Sequence, residues 1–408
     1  MAQSSLRETP GSPPDRAFLF CAAAFAPVCS TVQRLGFFRC LILCGQQQGR
    51  PMTQHPAIDP AVMQQRKAYY DRIGGRKLAP LWEVLHALVI PQPKSACQPA
   101  LWHYADIRDD IMEAGRLITA KEAERRVLIL ENPGMPGQSR ITTSLYAGLQ
   151  LILPGEVAPA HRHTQSALRF IVEGDGAYTA VDGEKTIMRE GDFVITPSWT
   201  WHDHGNDSDR PMVWMDGLDI PLIQALDCSF MERLPEDSQP LARPTGDALA
   251  RYGSGLLPVD HEVRTPTSPV FNYPYSRTRE ALETMRRAED WDPCHGLKLQ
   301  YVNPATGQSA MPTIGTYMQL LPKGFAGETY RCSDATVFSV VEGKGHTMVG
   351  EGAEAKRFDW GKRDTFVIPS WMPHRHHADA STDAVLFSFS DRPVQKVLGL
   401  WRESRGNR

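Results

Sequence analysis

The feature that most restricts the fold of this chain is a repeat. Leu151-Ile152-Leu153-Pro154-Gly155-Glu156 returns as Leu320-Leu321-Pro322-Lys323-Gly324. Phe170-Ile171-Val172-Glu173-Gly174-Asp175-Gly176 returns as Ser339-Val340-Val341-Glu342-Gly343-Lys344-Gly345. Gly191-Asp192-Phe193-Val194-Ile195-Thr196-Pro197-Ser198-Trp199 returns as Arg363-Asp364-Thr365-Phe366-Val367-Ile368-Pro369-Ser370-Trp371, and a histidine (His202, His374) follows each tryptophan by three residues. Matches at nearly constant offsets mean that one domain has been duplicated.

The repeated unit reads as β structure. Short apolar segments of strand type recur at Val127–Leu130, Leu145–Leu153, Ala167–Val172, Ala177–Ala180, Lys185–Met188, Asp192–Thr196 and Met212–Leu218, several bounded by turns such as Asp182-Gly183 and Glu190-Gly191. This is the spacing of a small antiparallel sandwich or barrel. The expected division is a first β domain over 125–234, a proline-rich linker over 235–297 with a short charged helix at Arg277–Glu289, and a second β domain over 298–408. Upstream, 52–124 is expected to be helical, on the spacing of Met63, Tyr69, Tyr70, Leu81, Trp82, Leu85 and Leu88, and to pack on the β structure after it. Trp102 to Ile111 is read as either helical or extended. Residues 1–51 differ from the rest. Their apolar patches, Phe18–Cys29 and Leu35–Cys44, fall short of the roughly 18–20 residues a spanning helix needs. The expectation is that Met52 is the natural start and 1–51 is translated upstream sequence; a disordered or targeting extension is the alternative.

Net charge is -3, with 44 basic and 47 acidic residues. This balance does not favour a nucleic acid or an anionic membrane as partner, and it is compatible with a small anionic substrate met by a local arginine cluster. The eight cysteines are scattered without a CxxC pair, which points to a reducing, cytoplasmic setting and no disulfide framework.

His161 and His163 are two residues apart, which on a strand puts both side chains on one face. His202 arrives about forty residues later, just past a strand that can run beside the first. Three imidazoles meeting at one point suit a divalent first-row ion and leave other coordination positions open. Packing histidines would leave the glycine and proline frame around them unexplained. Arg169, six residues past His163, is expected on the same strand face. In the second half the pair is replaced by Tyr330 and Cys332, while His374 survives. A stabilising domain without metal is expected there, with Cys332 leaving a soft-metal option open and His376 and His377 read as polar surface or turn residues.

Gly155, His161-Arg162-His163 and Gly174 resemble the first signature of the cupin superfamily, and Gly191-Asp192, Pro197 and His202 resemble the second. Thr164-Gln165-Ser166-Ala167-Leu168-Arg169 lacks the acidic ligand found in many cupins. With Tyr146-Ala147-Gly148-Leu149-Gln150 and Phe170-Ile171-Val172-Glu173-Gly174, the pattern resembles the bicupin gentisate 1,2-dioxygenases and their relatives acting on salicylate and 1-hydroxy-2-naphthoate, over about Met63 to Arg402. The resemblance implies an all-β bicupin, two tandem small jelly-roll barrels with an N-terminal helical extension, assembled as a homotetramer. It implies one Fe(II) per chain on His161, His163 and His202, and conversion of gentisate and O2 to maleylpyruvate. Fe(II) suits this chemistry because it can pass an electron to O2 while drawing one from the ring, which Zn(II) cannot.

For the substrate carboxylate, a guanidinium fork at Arg169 is the expected partner. Arg125 resembles the family's second substrate arginine. His204 resembles a contact to the substrate hydroxyl or a support behind it, with a general acid/base role open. Asp216 falls where the family keeps an acid, to bond the 5-hydroxyl or orient a ligand. Gln150, Tyr146 and Gly148 resemble pocket positions, and a tyrosine at 146 leans toward gentisate. Three other readings stand beside this one: a salicylate or 1-hydroxy-2-naphthoate dioxygenase, a bicupin isomerase or decarboxylase that consumes no O2, and a non-enzymatic storage or sensing cupin.

Overall fold

The structure, a computed structural model, describes residues 59–288 and 290–406. The expectations for 1–51 and for Met52 fall outside them. The chain divides into two compact units, one ending at Pro80 and one spanning Leu81–Arg408. The described part of the first holds a helix, Pro60–Gly75. Asp59 caps it by accepting from the Ala61 N–H at 2.8 Å, and proline at the first helical position loses no intrahelical bond.

In the second unit the repeat becomes two barrels, each of a six-stranded and a five-stranded antiparallel sheet. The large sheet of the first barrel runs Asn272–Tyr273, Phe193–Thr196, Ala167–Glu173, Met212–Leu218, Tyr146–Ile152, Val127–Ile129. Its small sheet runs Met231–Arg233, Val157–His163, His202–Asn206, Ala177–Val181, Glu184–Ile187. The second barrel repeats this plan with Ala100–Trp102, Thr365–Ile368, Thr336–Glu342, Ala384–Ser390, Gly315–Leu321 and Leu297–Gln300 in the large sheet. The segment before each barrel therefore supplies an edge strand to the other. Ala100 pairs with Val367 of the second barrel, and Tyr273 pairs with Phe193 of the first. Covering an edge in this way removes a site for unwanted pairing.

Strand alternation builds two kinds of core. Outward faces of the two large sheets meet in one cluster, with Leu149, Leu168, Phe170 and Val213 from one barrel and Met318, Val337, Phe387 and Phe389 from the other. Phe170 stacks on Phe387 at 4.2 Å and 5°. Gly217 is needed here, because a Cβ would stand 2.9 Å from the Phe389 ring. Inward faces fill the barrels, with Ile152, Ile171, Val194 and Trp214 in the first and Leu321, Phe338, Val340 and Leu386 in the second.

The helical extension differs from expectation. Leu81–Leu88 forms a helix, but every residue of it is exposed. The helix that packs is Tyr104–Leu117, whose Tyr104 and Ile111 enter the shared core, preceded by the extended Ala100–Trp102. The linker helix runs Tyr275–Arg286, capped by Pro274 and starting two residues before Arg277. Neither His376 nor His377 is a turn residue, and His376 is not at the surface, while His377 is half-buried and stacks on His346 at 4.5 Å. Both lie in the strand His374–Ala378, and His376 is 1% exposed inside the second barrel, because Phe338, Phe366 and Thr347 surround its ring. Among the described residues no helix is long and apolar enough to cross a membrane.

Candidate metal centre

His161 and His163 sit at the end of Val157–His163, and His202 begins the neighbouring strand directly opposite His161. The ring centroids are 4.3 Å (His161–His202), 4.9 Å (His163–His202) and 5.2 Å (His161–His163) apart. One nitrogen from each ring lies within 4.8 Å of the others. Nδ1 of His163 faces the Gln165 carbonyl at 2.9 Å, and Nδ1 of His202 faces the Thr200 carbonyl at 2.9 Å. A proton on Nδ1 then donates outward, which leaves the Nε2 lone pair for a ligand. His202 Nε2 is buried and has no hydrogen-bond partner.

His161 Nδ1 has two neighbours, the Pro159 carbonyl at 3.3 Å and Arg125 Nη2 at 2.6 Å. It can donate to the first or accept from the second, and a ligating Nε2 selects the first. Arg125 keeps bonds to the Pro159 and Glu124 carbonyls at 2.8 and 2.9 Å in either case.

Burial, reinforced by the nearby Arg125, pulls His161 down to about 3. Burial pulls His163 down to about 4 and holds His202 well below the ordinary histidine range. All three are thus neutral near pH 7, the form that can bind metal. Three neutral nitrogens with an orphaned buried lone pair fit a divalent transition metal.

A row of polar residues crosses the large sheet beside this centre. Gly148 pairs with Asp216, and Asp216 pairs with Arg169. Arg169 is 4% exposed. Its Nη1 donates to Thr196 Oγ1 at 2.5 Å, its Nη2 to His204 Nε2 at 2.8 Å, and its Nε lies 3.5 Å from Asp216 Oδ1. Accepting through Nε2 fixes the proton of His204 on Nδ1, which then donates to Thr179 Oγ1 at 3.0 Å. His204 has neither nitrogen free. Asp216 also accepts from Trp214 Nε1 at 3.0 Å, and burial pushes its carboxyl up to about 6 against the pull of Arg169.

Arg169 does not continue the His163 strand. Thr164 to Ser166 intervene, and Arg169 lies on Ala167–Glu173 in the other sheet, so it faces the centre from across the barrel. Tyr146 and Gln150 share the Gly148 strand at alternate positions. A Cβ on Gly148 would stand 2.8 Å from the Tyr146 hydroxyl and collide with a Val127 methyl, so the phenol occupies space that only glycine leaves.

Sequence reasoning missed Thr196, Thr179 and Trp214, which hold Arg169, His204 and Asp216 in place. It also missed Arg162, whose guanidinium lies between the Trp199 and Trp201 rings at 4.6 and 4.7 Å. The Thr196, Thr179 and Arg162 partnerships join distant segments, which no local spacing carries, whereas Trp214 lies two residues from Asp216 on the same strand, a spacing the sequence does carry. In the second barrel Tyr330 pairs with His374 as His161 pairs with His202. The Cys332 thiol is pushed up by burial and donates to the Asp334 carbonyl at 3.4 Å, so the thiolate that a metal needs is disfavoured.

The fold and the three-histidine centre define a bicupin metalloprotein. Residues 148–220 match the family model for a cupin domain. The chain is 62% identical over 346 residues to gentisate 1,2 dioxygenase 1 of Aquipseudomonas alcaligenes, covering 85% of this chain and 98% of that one. It is 38% identical over 338 residues to a gentisate 1,2-dioxygenase of a Streptomyces species, covering 81% and 92%. A crystal structure of salicylate 1,2-dioxygenase from Pseudoaminobacter salicylatoxidans, in adducts with gentisate, superposes with a TM-score of 0.80 at 34% identity, covering 87% of this chain and 97% of that one. The chain belongs to the gentisate 1,2-dioxygenase family of ring-cleaving dioxygenases.

Proposed function

We propose that this protein opens the ring of gentisate with O2 to give maleylpyruvate, using Fe(II) held by His161, His163 and His202. The observation that carries the reading is the convergence of three neutral imidazoles beside a buried arginine. The ring bond between the carboxyl-bearing carbon and its hydroxyl-bearing neighbour breaks, and both oxygen atoms enter the product. Bound Fe(II) supplies a path for electrons between an electron-rich ring and O2.

The chain's own residues bind and orient. Arg169 spends one hydrogen of each terminal nitrogen on Thr196 and His204, which leaves the other hydrogen of each for a carboxylate. His204 acts through Arg169: its fixed tautomer aims the guanidinium, and a charged imidazole there would repel it. Arg125 supplies a second cation near the substrate carboxylate. Asp216, near its own midpoint at about pH 6, accepts from or donates to a ring hydroxyl. Tyr146, with Gly148 making room for its hydroxyl, and Gln150 line the ring's far side. The proposed assembly is a cytoplasmic homotetramer; exposed Leu226, Phe230 and Met231 are apolar surface that association would cover.

The test is turnover by protein reconstituted with Fe(II), followed by ultraviolet absorbance with gentisate, salicylate and 1-hydroxy-2-naphthoate in parallel. Preferred turnover of gentisate is expected. Turnover of salicylate with none of gentisate would reassign the substrate, and product formed without O2 uptake would replace the dioxygenase reading by an isomerase or decarboxylase.

A further inference from the structure

We infer that the interior of the second barrel is a binding site for a small organic carboxylate. The strand register shows what the duplication changed. Gln319 holds the place of Gln150, since each is flanked by the same two strands, and Ser388 holds the place of Asp216. Phe338, opposite Ser388, holds the place of Arg169, opposite Asp216. Lys298, opposite Gln319, holds the place of Val127, opposite Gln150. The cation lost at one strand has returned on another.

Lys298 leans inward. Its Nζ is 5.1 Å from the centre of the Tyr317 ring and 5.8 Å from that of Phe338. Among the described residues no carboxylate lies within ion-pair distance of it. Asp334, the carboxylate that acts most strongly on it, is already bound by Arg392 at 3.2 Å and by Trp401 Nε1 at 2.7 Å. Burial, with Arg392 adding to it, pulls the Lys298 ammonium down to about 8. Beside it, Gln319 is fully buried with neither amide atom hydrogen-bonded, and Ser388 is fully buried with its hydroxyl unpartnered. Buried groups of this kind are normally satisfied, so an amide and a hydroxyl left open on one face, beside the half-buried Lys298 ammonium, mark a place for a partner.

A carboxylate answers all three. It pairs with the ammonium, accepts from the amide and from the hydroxyl, and the Tyr317 and Phe338 rings offer a flat apolar body a surface. His374 stands between this interior and a neighbouring cavity. It lines a cavity of about 300 Å³ with Thr329, Met348 and Arg375, and its ring lies 6.2 Å from that of Phe338.

Benzoate is the probe, because it has the carboxylate and the ring but no hydroxyl to chelate a metal. The experiment is calorimetric titration of the full-length holoenzyme and of Lys298→Met, with thermal melting alongside. The wild type is expected to bind one more benzoate per chain than Lys298→Met, and the variant is expected to keep gentisate turnover within twofold. A loss of the first-barrel site would lower both counts equally and leave their difference at one, so failure of the proposed function is distinguishable from failure of this inference. Equal benzoate counts in the two proteins would overturn it, as would saturation of the second-barrel site by chloride alone. If Lys298→Met does not fold, Ser388→Ala supplies the comparison, with at least tenfold weaker binding at that site expected and unchanged binding contradicting the assignment.

Discussion

The backbone N–H of Trp199 donates to the carbonyl of His163 at 2.7 Å. Trp199 is in the left-handed region, at φ 59°, and its counterpart Trp371 sits at φ 61° and donates to the Cys332 carbonyl at 2.6 Å. A non-glycine residue there is strained by about 1 kcal/mol. Both barrels keep the strain, since the turn ties the strand with the first two ligand positions to the one that opens with the third. Arg162, held between Trp199 and Trp201 and bonded to Glu232 at 2.8 Å, clamps the same joint from outside.

Arg162→Met is therefore expected to weaken metal binding by about tenfold, the lower end of what supporting residues contribute. The measurement is competition with a chelator, with circular dichroism to confirm the fold. Wild-type affinity in the variant would remove Arg162 from this role.

Arg169→Met is expected to keep the metal and lower kcat/KM for gentisate by about 100-fold, equivalent to about 3 kcal/mol of binding in the transition state. Part of this arises because Asp216 loses its cationic neighbour, so Arg169→Met/Asp216→Asn is expected to lose less than the sum of the single variants. Unchanged kinetics in Arg169→Met would take the guanidinium out of the site.

Much of this centre was legible in the sequence. The spacing of His161 and His163 gives a shared face on any strand, and the glycine and proline frame before His202 marks a turn into a neighbouring strand. The expected placement of Arg169 on the His163 strand face is overturned. Alternation ends where Thr164 to Ser166 turn the chain, and the residue reaches the centre from the opposite sheet. Contacts set by pairing between distant strands were not legible. Thr179 meets His204 because of register, and Ala100 joins the second barrel across more than 250 residues of sequence, a separation of 267 to Val367. Lys298 escaped notice because a lone lysine in a strand usually faces water.

Phe387→Ala removes the partner of the Phe170 stack in the core between the barrels. A loss of about 3–5 kcal/mol is expected from urea unfolding. The large sheets meet through this residue, so a loss below about 1 kcal/mol would contradict the packing described.

Acid sensitivity arises from buried histidines. His161 at about 3, His163 and His374 at about 4, and His202, His204, His295 and His376 well below the ordinary range are all held neutral by burial. Their folded values lie below the unfolded value, so the unfolded state binds more protons as pH falls from about 6.5 toward about 4. Stability is full above that window and declines within it by about 1.4 kcal/mol per pH unit for each excess proton. Asp216, Asp219 and Asp391, pushed up to about 6 by burial, work in the opposite sense between about 4 and 6, but they are outnumbered. The urea midpoint of metal-free protein is expected to fall steadily from pH 7 to pH 5. A flat or rising midpoint would contradict the assigned protonation states.

The most direct test is anaerobic reconstitution with Fe(II), with iron analysis of the wild type and His202→Ala and then O2 uptake with gentisate. One iron per chain and one O2 consumed per gentisate are expected in the wild type, with neither in His202→Ala. Iron retained at the wild-type level in His202→Ala would contradict a centre built on these three histidines.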